Sequence, residues 1–194
     1  MHQTRQATST KIPVPRKGTK YIARANSNHK DSVPVVVAVR DMLHLAKTSK
    51  EVKKMVSQKL LKLNGKPVKD IKESISLLNL FEADKPYLLT LTSNGRFTLE
   101  ETKDNKQRIA KIIGKKLLKS KKLQFNLHDG TNLLGSEKAS MGDSLSLDLT
   151  GKVKGVVKLD KGSQVLIFKG KYSRKKAKDS AVEGKKATLK LTDK

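Results

Sequence analysis

The chain has 194 residues, with 43 Lys and Arg against 18 Asp and Glu, and a formal net charge of +25. An excess of this size points to a polyanionic partner, nucleic acid or an anionic membrane surface, and the lack of cysteine excludes a disulfide framework, a Cys-based zinc site and a Cys nucleophile. A membrane is the weaker choice: the longest apolar stretch, Val33 to Val39, is interrupted at Pro34 and falls far short of the roughly 20 residues of a spanning helix.

Residues 1–32 carry seven cations (Arg5, Lys11, Arg16, Lys17, Lys20, Arg24 and Lys30) against Asp31 alone, and their apolar residues are sparse and aperiodic. No charged-then-apolar signal peptide is present. Such a segment cannot bury enough surface to fold alone, and it reads either as a disordered solvated tail or, the reading favoured by the rest of the chain, as a basic arm that orders against nucleic acid.

Residues 33–75 are the most legible unit. Ser32 stands as a helix cap with Pro34 in the first turn. Val35, Val39, Met42, Leu43 and Ala46 then fall on one helical face, although the same run of valines also reads as a buried strand. Thr48-Ser49-Lys50-Glu51 is a capping box that starts a second helix. Val52, Met55 and Val56 form its apolar side, with Lys50, Lys53 and Lys54 largely off it. Leu61 and Leu63 alternate with Lys62 into Asn64-Gly65, the strongest short hairpin signal, and Val68 resumes beyond it.

Residues 76–150 read as all-β. Short alternating runs (75–80, 87–91, 96–99, 123–127 and 144–149) lie between turns at Asn94-Gly95, Asp129-Gly130 and Gly142-Asp143, a spacing that suggests a small barrel or sandwich. The stretch from Ile109 to Lys122 reads as strand, basic turn, strand around Gly114. Residues 151–194 continue with β-like runs at 153–159 and 164–168, six cations between Lys169 and Lys178, and a last run at Leu189-Lys190-Leu191. The predicted class is α+β.

The search for catalytic chemistry is negative. There is no phosphate loop, dinucleotide fingerprint or nucleophile elbow. His2, His29, His44 and His128 lack metal-ligand spacing. His128-Asp129-Gly130 reads as a hairpin turn, because neighbours on a strand point to opposite faces and do not converge, and Arg40-Asp41 reads as a helix-surface pair. Leu, Ile, Val and Phe make up about a quarter of the chain, above the roughly 20% below which high charge implies disorder. With four Phe, three Tyr and no Trp, the chain lacks platforms for stacking single-stranded bases, and recognition is expected to rest on phosphates and RNA shape.

Clustered cations carry the positive signal, since each one placed on a phosphate releases counterion. The candidate RNA-contacting residues are Arg5, Arg16, Lys17, Lys20 and Arg24 in the arm; Arg40, Lys47, Thr48, Lys50, Lys53 and Lys54 around the second helix; Lys62 and Lys66 at the hairpin; Lys115 and Lys116 in the basic turn; and Lys169, Lys171, Arg174, Lys175 and Lys176 in the tail. The N–H groups ahead of Glu51 are a further place for a phosphate.

The motifs His2-Gln3-Thr4-Arg5, Val14-Pro15-Arg16-Lys17-Gly18 and Val39-Arg40-Asp41-Met42-Leu43 occur in the order of one family. The stretch 46–54, closing at Leu63-Asn64-Gly65-Lys66-Pro67-Val68, and then Gln124 to Asn132 with Met141-Gly142-Asp143-Ser144-Leu145, continue that order. Together they resemble the archaeal and eukaryotic small-subunit ribosomal protein S4e family. The resemblance implies a basic arm (1–32), a helix-helix-hairpin RNA-binding unit (33–75), a central β domain (76–150) and a degenerate SH3-like (KOW) module with a basic tail (151–194). Two departures stand out. Gln3 and Thr4 replace the Leu-Lys usual in the arm, and Gly170 stands alone where the family has a glycine pair.

The resemblance further implies a structural constituent of the small ribosomal subunit in the cytoplasm, bound to its rRNA and to neighbouring ribosomal proteins. It implies no catalysis, cofactor, metal, membrane or small-molecule substrate. The alternative is a free RNA-binding module or an RNA-modification accessory protein.

Overall fold

Short alternating runs separated by turn residues make strands the main regular element of the chain. The computed structural model describes residues 2–103, 106–119, 122–135, 139–168, 170, 172, 175–183 and 186–191. Strands β1 (His2–Thr4) and β2 (Tyr21–Ala23) pair with each other. Strand β3 (Ser32–Pro34) leads into one turn of helix, α1 (Val35–Val37), which runs on as a π-helical turn over Ala38–Met42. Helix α2 (Ser49–Ser57) follows, then β4 (Lys62–Leu63), β5 (Lys66–Pro67), β6 (Ser74–Ser76), β7 (Leu80–Glu82), β8 (Pro86–Leu91) and β9 (Phe97–Glu101). Strand β3 pairs with β6, and the rest form an antiparallel sheet in the order β5-β4-β7-β8-β9.

A second antiparallel sheet has the order β12-β11-β10-β13-β14. It is built from β10 (Gln107–Leu117), β11 (Leu123–Leu127), β12 (Asn132–Gly135), β13 (Ser144–Asp148) and β14 (Val153–Val157). A third sheet joins β15 (Gln164–Leu166), β16 (Lys176–Glu183) and β17 (Lys186–Leu191).

Two hydrophobic cores result. The first centres on the valine run with Val52, Leu61, Ile75, Phe81 and Leu89. Val35 to Val39 are all buried, so this helical stretch has no exposed face and shows no clean period. The first turn is also built differently from the sequence expectation. Ser32 does not cap it; its hydroxyl donates to the carbonyls of Ser27 and Asn28. The amides of Val35 and Val36 donate instead to the carbonyls of Glu73 and Ile71, at 3.0 and 2.9 Å. The helical segment ends at Met42, four residues before Ala46, and His44 turns the chain at φ 55°. The run 75–80 is likewise two strands, broken where Leu78 adopts φ 62°.

The arm is docked where the sequence suggests a free segment. Ile12 enters the first core, Ile22 and Ala25 are buried, and the Lys11 carbonyl accepts from the Phe97 amide at 2.8 Å. Its few apolar residues add to an existing core and do not need to form their own.

The second core packs Ala110, Ile112, Phe125, Leu127, Leu145 and Leu147. Strand β10 serves two neighbours, pairing with β13 over 107–111 and with β11 over 112–117, with a bulge between Ile112 and Gly114. Arg108 points into this core and meets the Asp129 carboxylate, the two side chains being 6% and 0% exposed. Asp129 also accepts from the Thr131 amide and hydroxyl, at 3.0 and 2.7 Å. Burial works to raise the Asp129 pKa, but the Thr131 hydroxyl, the Arg108 charge and the Thr131 amide outweigh it and hold the carboxyl below its ordinary value.

Asp129→Asn leaves Arg108 charged and unmatched in the core and should cost about 3–5 kcal/mol in denaturant unfolding. The acid side of the stability curve checks the same pair. Because the folded state lowers the Asp129 pKa, its contribution is present above the ordinary carboxylate range and is lost as pH falls through the folded value. The wild type should lose stability in that window, and Asp129→Asn should lose less there.

Candidate nucleic-acid interface

Helix α2 is the best-defined cationic element. Val52 is fully buried and Met55 and Val56 pack on the first core, which fixes the rotation of the helix. Lys50, Lys53, Lys54 and Ser57 follow at helical spacing on the exposed side. The capping box forms as expected: the Thr48 hydroxyl accepts from the Glu51 amide at 3.3 Å and donates to the Glu51 carboxylate at 3.0 Å. That carboxylate also accepts from the amides of Lys47 and Thr48, at 2.7 and 3.4 Å. These bonds, the Lys47 amide first and the Thr48 hydroxyl next, hold Glu51 below the usual carboxylate range. The amides ahead of the helix thus already face an anion of the chain's own, and the lysine stripe is the part left open.

Arg40 grips Asp41 with two hydrogen bonds of 2.8 and 2.7 Å and reaches the Ser49 hydroxyl at 3.4 Å, tying the π-helical turn to the start of α2. Lys53 also lines an open cleft of about 210 Å³ with Val56, Ser57, Lys69, Asp70 and Ile71. Asp70 is held in its charged form, first by the Lys72 amide and then by the Asn26 side chain, at 3.0 and 3.1 Å. Lys69 is absent from the sequence-derived candidates. It lies 16 positions from Lys53, and only the packing of the 69–71 segment beside α2 brings them together.

The other candidates fall in separate places. Arg16, Lys17 and Lys20 are exposed on the loop before β2, with the Lys20 ammonium 5.4 Å from the Tyr21 ring centre. Arg5 is half-buried behind that loop, and Arg24 is half-buried past β2. Lys62 and Lys66 are exposed on the β4–β5 hairpin, which turns through Asn64 and Gly65 at φ 51° and 78°. Lys62 lies 4.0 Å from Glu82. Lys115 and Lys116, expected in a turn around Gly114, instead lie exposed on β10, which runs through Gly114 because the segment stays paired with β11, and the Lys115 ammonium sits 5.4 Å from the Phe125 ring centre. In the tail, Lys176 is exposed and Lys175 half-buried, while Lys169, Lys171 and Arg174 lie outside the described residues. Among the described residues, no helix is long and apolar enough to cross a membrane. No three His, Cys, Asp or Glu side chains among them gather as a metal site. The arrangement can neutralise a polyanion over several faces.

Thr48→Ala removes the hydroxyl that joins both halves of the capping box and should cost about 1 kcal/mol of stability by chemical denaturation.

Comparison with known proteins places this architecture. A family model described as ribosomal family S4e matches residues 83–153. The small ribosomal subunit protein eS4 of Archaeoglobus fulgidus is 31% identical over 179 residues, covering 89% of this chain and 76% of the relative. The eS4 protein of Methanocella arvoryzae is 29% identical over 185 residues, with the same two coverages, 89% and 76%. In fold, the chain is similar to the crystal structure of the 30S ribosomal protein S4e from Thermoplasma acidophilum. That match has a TM-score of 0.71 at 20% identity and covers 84% of this chain and 88% of the other. The identity to the Archaeoglobus fulgidus protein over most of both chains settles the family: the chain belongs to the S4e family of ribosomal proteins.

Proposed function

We propose that the chain is a structural constituent of the small ribosomal subunit, working in the cytoplasmic ribosome, where it binds rRNA through phosphate contacts beside neighbouring ribosomal proteins. The family is one of structural ribosomal proteins, and the chain is not an enzyme. The observation that carries the RNA-binding part is the stripe of Lys50, Lys53 and Lys54 on the open side of a helix whose other side is locked into the core. Lysines there face solvent, and in a chain of net charge +25 their fields add to those of their neighbours.

In this reading the arm (1–32), the helix-helix-hairpin RNA-binding unit (33–75), the central β domain (76–150) and a degenerate KOW module (151–194) are divisions of the sequence, while the first sheet runs across the 75/76 boundary and β14 of the second sheet lies beyond residue 150. The arm loop with Arg16, Lys17 and Lys20, the hairpin lysines 62 and 66, and the tail cations from Lys169 to Lys176 supply further phosphate contacts. The three-stranded sheet β15-β16-β17 supports a reduced SH3-like module.

The test is a salt titration of binding to small-subunit rRNA. K50Q/K53Q/K54Q should keep its unfolding midpoint while the log–log salt slope falls by about 2–3, as three phosphate contacts are lost. An unchanged slope would move the RNA face off α2.

A further inference from the structure

The loop over residues 15–20 is wrapped around one guanidinium. The Arg5 Nε donates to the Thr19 carbonyl at 2.7 Å and its Nη2 to the Thr19 hydroxyl at 3.0 Å, so Thr19 occupies one whole edge of the fork. Its Nη1 donates to the Pro15 carbonyl. The Thr19 hydroxyl in turn donates a hydrogen bond to the Tyr21 carbonyl at 3.1 Å, and the Arg5 amide donates to the Lys20 carbonyl at 2.9 Å. Gly18 closes the wrap at φ 139°, so near the guanidinium that a Cβ there would stand 2.8 Å from Nη2. The three cations on the outside of this turn, Arg16, Lys17 and Lys20, are exposed.

We propose that Arg5 is a positioning residue: it donates its fork to the loop's own acceptors and so presents Arg16, Lys17 and Lys20 as one preformed phosphate-binding lobe, without binding phosphate itself. Three of the five guanidinium N–H groups are already engaged, and they span two residues four positions apart. A lysine ammonium is a point charge and cannot bridge those acceptors in a plane. Charge and shape are therefore separable at this position. The inference rests on the RNA-binding reading above for its partner, but its structural half does not.

The experiment compares R5K, which keeps the charge of +25, with R5Q, which does not. Both should weaken binding to small-subunit rRNA equally, and both should lower the salt slope by about 2–3, as the three loop cations lose their phosphates. G18A should do the same, since its Cβ displaces the guanidinium and strains a left-handed backbone. In an R16Q/K17Q/K20Q background, adding R5K should cost nothing further. If R5K binds like the wild type while R5Q loses about one unit of slope, Arg5 is itself the phosphate contact and the proposal falls. A second measurement needs no RNA. The amides of residues 16–20 should show dispersed shifts in the free wild type and random-coil shifts in R5K and G18A, with the core signals unchanged. Dispersed loop shifts in R5K would overturn the proposal. A wild type that fails to bind rRNA would refute the functional reading instead, leaving the amide comparison to decide the role of Arg5.

Discussion

Forty-three cations and 18 acids share one chain, and such an excess opposes compaction by self-repulsion. Among the described residues, several carboxylates hold backbone and guanidinium groups, while Asp31, Glu82 and Glu101 pair with Lys11, Lys62 and Lys85. Glu51 closes the start of α2. Asp143 takes the amides of Ser140 and Leu159, at 2.7 and 3.0 Å, and so joins two turns. Asp70 fixes the 70–72 turn against Asn26. Asp129 matches the one arginine of the second core. Exposed pairs such as Lys85–Glu101, with both side chains more than half exposed, add little by comparison. Using the acids this way shapes the fold and leaves most lysine charge directed outward.

The two cores are tied by small, directional contacts. His128 accepts the Lys111 amide at Nδ1, 3.1 Å away, so its proton is on Nε2, which donates to the Leu77 carbonyl at 2.8 Å. One ring thus bonds to the second sheet and to the turn behind β6. On another side, the β4–β5 hairpin meets Leu149 at Gly65, where a Cβ would come within 2.8 Å of the leucine Cβ. Glycine is required there twice, for its positive φ and for that approach. The cations of α2 and of β10 are therefore carried on units held in a defined relation to each other.

What the sequence made legible was local. The capping box at Thr48, the Asn64-Gly65 turn and the alternation of β8 and β13 each follow from residues adjacent in the chain. What stayed hidden depends on distant partners. Ser32 looked like a cap because its preferred acceptors, 27 and 28, come from a loop that folds back. The valine stretch stayed ambiguous because a segment buried on every side has no polar face to set a period. The arm looked disordered because composition counts what it can bury alone, and Ile12 borrows a core made by residues far along the chain. His128-Asp129 read correctly as a turn, but nothing local shows that Asp129 awaits Arg108 across 21 positions.

The division between the two kinds of cation follows from the same geometry. Only seven of the 43 are arginine: Arg5, Arg16, Arg24, Arg40, Arg96, Arg108 and Arg174. Three of these, Arg5, Arg40 and Arg108, direct the fork at protein acceptors, one shaping a loop, one anchoring a helix start and one filling a core. A planar group with five fixed donors suits that work, because it holds several acceptors in one arrangement at little entropic cost. Lysine has the opposite character, a mobile point charge that follows a phosphate without demanding a particular geometry. A surface made mainly of lysine on rigid elements therefore discriminates by where its charges stand, which is the form of an RNA backbone, and carries few of the planar forks that read a base edge. The RNA-binding reading proposed above is therefore one of shape, since Arg5, Arg40 and Arg108 are already bound to acceptors of the protein itself.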